Sequence, residues 1–189
     1  MHRQFEQNIR DDGPRASSGA RPAFTFAEVL VVVVVLGIAS AVVLPQVSSH
    51  DDLNTAAAAR AVMADLLYAQ NRAIAMQKTH YVSFDSTNQQ YTLYDSMSPA
   101  DILQHPVNLN NYTMTFGQTS QNNVAQNVAL TSASFNGQTT IAFDEMGVPY
   151  SYSAGTLTAL SQSGTIVLTG GSYSLTISVA QDTGDIAVQ

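Results

Sequence analysis

Between Phe24 and Leu44 the chain reads FTFAEVLVVVVVLGIASAVVL, in which only Thr25, Glu28 and Ser40 are polar and Val29 to Leu44 carry no charge. Few environments accept such a segment. As a helix it would extend ~31 Å at ~1.5 Å per residue, about one hydrocarbon thickness. The β-branched run Val31 to Val35 would suit a buried strand in a water-soluble core. A lone strand cannot satisfy its backbone groups in lipid, however, so the expected form is a membrane-spanning helix.

The flanks agree with a span. Residues 1–23 contain Gly13, Pro14, Gly19 and Pro22, with four arginines against Glu6, Asp11 and Asp12. They show no apolar periodicity, which predicts an unstructured leader kept on the cytoplasmic side by its arginines. Pro45 should kink or interrupt the helix. From His50 to Lys78 the pattern turns helical again, with Met63, Leu67 and Ile74 as the expected packing face. Asp51 and Asp52 near its start and Arg72 and Lys78 near its end match the helix dipole.

After Thr79 short alternating segments separated by turn residues predict an antiparallel sheet. The expected strands are Tyr81–Phe84, Gln90–Tyr94, Tyr112–Phe116, Val128–Phe135, Thr140–Phe143, Thr165–Thr169, Ser172–Val179 and Asp185–Val188. Residues 95–111 and 117–127 read as loops. The fold class is therefore α+β, a long N-terminal helix packed on an antiparallel β domain.

Several functions are disfavoured. Charged residues are 11% of the chain, with seven basic against fourteen acidic. No basic residue follows Lys78, while Asp85, Asp95, Asp101, Asp144, Glu145, Asp182 and Asp185 do, so nucleic acid is not an expected partner. Cysteine is absent, which removes disulfides and thiolate chemistry. His50, His80 and His105 are scattered and read as surface residues. No nucleophile, phosphate-loop or paired-carboxylate motif is present, so neither an enzyme nor a cofactor is expected. Asp182 and Asp185 could approach a hard cation, but two acids do not fill a coordination sphere and Asp182-Thr183-Gly184-Asp185 reads as a turn.

Glu28 is the most informative residue. A carboxylate inside an apolar span costs ~2.5–3.5 kcal/mol and normally has a partner, yet the segment holds no Lys or Arg. Cleavage before Phe24 would create one, because the new α-amino group lies four residues from Glu28 and within reach of its own or a neighbouring chain.

The string Ala23-Phe24-Thr25-Phe26-Ala27-Glu28-Val29-Leu30-Val31-Val32 resembles the processing signal of type IV pilins and type II secretion pseudopilins. The resemblance implies a prepilin peptidase cutting between Ala23 and Phe24, N-methylation of Phe24, and assembly contacts between Phe24 and Glu28 of neighbouring subunits. Ala23 departs from the family, which prefers Gly there. Gly37 and Pro45 fall where the family favours glycine and proline, positions at which the helix can unwind on packing.

Further on, Arg60 to Ile74, Thr140 to Asp144 and Leu175 to Val179 are similar to the H-type minor pseudopilins, the GspH/FimT family. What this implies is a pilin-like fold with a leader (1–23), a transmembrane and assembly helix (24–45), an amphipathic continuation (46–78) and a periplasmic β domain (79–189). The implied protein is a single-pass inner-membrane subunit with a cytoplasmic N-terminus. Its implied role is a minor pseudopilin of a type II secretion system, built with other pseudopilins into a periplasmic pseudopilus. Two alternatives accompany it. One is a minor pilin of a type IV pilus, FimT-like, serving assembly or DNA uptake. The other is a soluble β-rich binding protein or adhesin released after Ala41, since Ala39-Ser40-Ala41 has the A-x-A form of a signal-peptidase site.

Overall fold

The computed structural model describes residues 24–47, 51–97, 99–117 and 126–189, the side chains of 41–47 excepted. The chain divides into two units, Met1–Gln46 and Val47–Gln189. The first contributes helix α1 (Phe26–Val47). The helix runs two residues beyond Pro45 instead of ending there. The single helix expected from Phe24 to Lys78 corresponds to two elements, and residues 48–50 lie outside the described residues.

The second unit begins with α2 (Asp51–Met76). Its buried positions are Thr55, Ala58, Ala59, Val62, Leu66, Ala69 and Ala73, a three- and four-residue spacing that makes one stripe. This corrects the expected face. Leu67 and Ile74 are 39% and 42% exposed, and Met63 is only partly covered. Four of the seven buried positions are alanine, Val62 and Leu66 lie on the same stripe, and Leu67 and Ile74 stand outside it.

Among the described residues eleven strands follow: β1 (His80–Asp85), β2 (Gln90–Met97), β3 (Ala100–Ile102), β4 (Thr113–Thr115), β5 (Ala129–Ser134), β6 (Thr140–Phe143), β7 (Pro149–Ser153), β8 (Thr156–Ala159), β9 (Gly164–Gly170), β10 (Tyr173–Val179) and β11 (Ile186–Val188). They form two antiparallel sheets, not one. The larger has the order β3-β2-β1-β6-β7-β8, with β4 also on β2, and the smaller is β11-β10-β9-β5. Helix α2 packs against strands of both. Between them lie Leu66 and Val62 of the helix, Phe84, Leu93, Ile141 and Phe143 of the larger sheet, and Leu130, Ile166, Leu168 and Ile177 of the smaller.

The chain passes between sheets at Asn136-Gly137, where φ is 52° and 80° and Phe135 bridges Gln138. Such a pair favours Asn-Gly because both residues occupy the left-handed region. Asn136 also fastens the corner, donating to the Ala159 carbonyl at 2.9 Å and accepting from Ser161 N–H at 3.0 Å.

A second fastening joins α2 to the larger sheet. Tyr91 Oη and Tyr112 Oη donate to the two oxygens of Asp65 at 2.6 Å and 2.9 Å. Burial raises the Asp65 carboxyl above its usual range, against the two hydrogen bonds, which lower it. Burial, followed by the Asp65 charge, holds both phenols above the usual tyrosine value. A raised folded value for the phenols means their contribution to stability is complete below pH ~10 and is lost as pH rises through the folded values. Unfolding free energy should therefore fall with pH above ~10, and Tyr91→Phe should flatten that slope. Denaturant melts across pH 8–12, followed with tyrosinate absorbance, check this.

Candidate functional site

The expected assembly residues cluster at the start of α1. Phe24 is 80% exposed, and Ala23 lies outside the described residues. Thr25 caps the helix: its Oγ1 accepts from Glu28 N–H at 3.2 Å, and its carbonyl accepts from Glu28 and Val29 N–H at 3.0 Å and 3.2 Å. Thr25-Phe26-Ala27-Glu28 has the spacing of a capping box, a local signal that the reading of Glu28 as a charge in lipid passed over. The carboxylate stands in the first turn, where the helix dipole favours an anion.

Beyond the cap, α1 is apolar on every side. Phe26, Val29 to Leu36 and Ile38 are each 51% to 85% exposed. A wall of this kind is unstable in water and needs lipid or other helices around it. Gly37 has nothing within 4 Å of where a Cβ would stand, so it leaves a notch open to a neighbour. Ser40 returns its hydroxyl to the Leu36 carbonyl at 2.7 Å, which removes its cost in an apolar setting. Pro45 lies inside the helix as its third residue from the end. Among the described residues no helix is long and apolar enough to cross a membrane. The described side chains of α1 stop at Ser40, short of the ~20 residues a span needs.

The weak cation candidates do not gather ligands. Asp182 and Asp185 are exposed in the turn before β11, where Asp185 N–H bonds Thr183 Oγ1 at 3.3 Å. Among the described residues no group of three or more His, Cys, Asp or Glu is placed to hold a metal ion. Asp144 is likewise a turn residue, its Oδ1 accepting from Met146 and Val148 N–H at 2.9 Å and 2.8 Å.

The expectation of surface histidines fails at His80. His50 lies outside the described residues, and His105 is partly covered by its contact with Tyr112, ring centroids 4.5 Å apart. His80 is buried at 1% exposure and meets Asp95 at 2.8 Å. Asp95 lies on a paired strand 15 residues away, a distance that helical spacing cannot reveal.

The family described as type II transport protein GspH matches residues 58–183. The chain belongs to the GspH family. A search of curated proteins finds no match. Among solved structures, the GspH-family chain is similar to the minor pseudopilin EpsH from the type 2 secretion system of Vibrio cholerae. The identity is 12% and the TM-score 0.50, covering 72% of this chain and 96% of that one. It is also similar to the type IV minor pilin FimU of Pseudomonas aeruginosa, with 10% identity and a TM-score of 0.47, covering 73% of this chain and 90% of that one. As a GspH-family protein the chain is a pseudopilin-type subunit of type II transport with the α+β pilin-like fold. Family and fold are those of structural subunits. The match begins inside α2, so the residues of α1 are read on their own geometry.

Proposed function

We propose that this protein is a minor pseudopilin that enters the inner membrane through α1, with its N-terminus cytoplasmic and residues 51–189 periplasmic. A prepilin peptidase cuts between Ala23 and Phe24, Phe24 is N-methylated, and the processed helix joins other pseudopilins in a periplasmic pseudopilus. The observation that carries this reading is an apolar helix, exposed all round, whose single charge sits in its first turn.

The physics of that end follows from the cut. Cleavage leaves a positive amine at the positive end of its own helix dipole, where a cation is disfavoured. It also leaves Glu28 needing a counterion once the helix is surrounded by hydrocarbon. A neighbour displaced along the filament axis satisfies both with one contact, amine of Phe24 to carboxylate of Glu28. Registers that miss this contact leave two unpaired charges in an apolar bundle, which selects against them. Gly37 and Pro45 are the positions at which α1 would yield as subunits pack.

Intact mass and N-terminal sequencing after co-expression with a prepilin peptidase test the proposal. The expected product starts at methylated Phe24. A product starting at Val42 would make this a soluble exported protein and end the filament reading.

A further inference from the structure

At the C-terminal end of α2 the side chains of Arg72, Lys78 and His80 converge on Asp95. Lys78 Nζ is 2.6 Å from its Oδ2, His80 Nε2 is 2.8 Å from its Oδ1, and a terminal nitrogen of Arg72 is 4.0 Å from Oδ1. Of the three, Arg72 alone stands outside hydrogen-bond range of Asp95. Its side chain is 29% exposed and lines a cleft of about 340 Å³ together with Asp95, Asp101, Ile102, Leu103 and Gln104.

Beneath it, one nitrogen of His80 is contested. Nδ1 lies 2.8 Å from the Lys78 carbonyl, which can only accept, so Nδ1 carries a hydrogen. Nε2 faces Asp95 Oδ1, which requires an N–H there. It also faces the Nε–H of Arg72 at 3.2 Å, which requires a lone pair there. Nε2 cannot meet both demands. A group that draws Arg72 away would free Nε2 to donate to Asp95 alone, so occupation of the cleft relieves a conflict already present.

Charge says which group this is. From residue 51 onward the basic residues are Arg60, Arg72 and Lys78; Arg72 alone of these lines the cleft, Lys78 outside the lining answers the charge of Asp95, and the acidic remainder of the domain repels anions. Asp101, exposed on β3 at the rim, opposes a polyanion or a doubly charged phosphate. A single planar carboxylate fits the guanidinium fork in two parallel hydrogen bonds.

We infer that the cleft at Arg72 receives one carboxylate, an Asp or Glu side chain of a partner protein, with Arg72 as the group that turns to hold it. This stands apart from the assembly role of α1 and holds whichever filament the chain joins.

The test is an NMR titration of the full-length protein in detergent micelles, following the Arg72 Nε–H and His80 ring signals. The probes are N-acetylglutamate α-methylamide, which has one carboxylate, an end-blocked octapeptide with one central Glu, and inorganic phosphate. Saturable shifts with the first two are expected, unchanged in Arg60→Gln, absent in Arg72→Gln, and weakened about tenfold in Arg72→Lys, which keeps the charge and loses the fork. Asp101→Asn should tighten binding, which tests the site even if an Arg72 variant unfolds. Three outcomes overturn the inference: no saturable shift, shifts that persist in Arg72→Gln, or phosphate binding as tightly as N-acetylglutamate α-methylamide. Binding of N-acetylglutamate α-methylamide at least tenfold more tightly than the octapeptide would assign the cleft to a small carboxylate and overturn the protein partner.

Discussion

Glu28→Ala should leave membrane insertion unchanged and reduce incorporation into filaments by a hundredfold or more. Insertion depends on the apolar run, and removing a carboxylate eases it by the ~2.5–3.5 kcal/mol that an ionised group costs there. Assembly loses the counterion of a neighbour's amine, and an unpaired buried charge costs roughly 3–5 kcal/mol when its partner is removed. Because the cap is made by Thr25 Oγ1 to the backbone N–H of Glu28, the helix start survives the substitution. Glu28→Gln should assemble nearly as poorly, since a neutral amide keeps the shape without the charge. Membrane fractionation measures the first effect and quantitative immunoblotting of sheared filaments the second. Normal incorporation of Glu28→Ala would remove the charge pair from the mechanism.

Gly184→Ala should destabilise the β domain by about 3 kcal/mol, as expected where the backbone is held at positive φ and the space is filled. Gly184 has φ 71°, and a Cβ there would stand 2.7 Å from the Gly147 carbonyl and 2.5 Å from Gln70 Nε2. The carbonyl belongs to backbone and cannot rotate aside. Gln70 cannot simply withdraw either, since its Nε2 donates to that same carbonyl at 2.9 Å and links α2 to two turns. At ~3 °C per kcal/mol for a domain of this size, the melting temperature should drop by about 10 °C. Gln70→Ala alone should cost ~1 kcal/mol. Urea melts of both variants give the numbers, and an m-value unchanged from the parent would show that the folded states are equally compact.

Much of this architecture could be read from residues. Strand β6 was expected at its observed bounds because Asn136-Gly137 and Asp144 punctuate it, and β9 and β10 were expected within a residue at each end because glycines separate them. The missed strands lacked the signal that reveals the others. β8 is exposed at all four positions, β3 has three residues at a sheet edge, and β7 opens with Pro149, so none shows a hydrophobic alternation that a sequence can display. Division into two sheets was equally hidden, because the chain changes sheet at three connections, β4 to β5, β5 to β6 and β8 to β9, and strand composition does not mark which sheet a strand joins. The face of α2 was misread for the opposite reason: large apolar residues were taken as the contact, whereas four of the seven buried positions are alanine. The contacts of His80 depend on strand pairing that the sequence does not display.

The uniformity of α1 limits what that helix can say. A ring of valines from Val31 to Val35, exposed alike on every side, offers the same texture to any neighbour at any rotation, and one carboxylate fixes height without naming the occupant. In the proposed pseudopilus this helix would therefore be a generic plug, free to sit in any slot of a filament built from similar plugs. Rank within the filament, first or last, single or repeated, has to be spelled out by the domain that follows it.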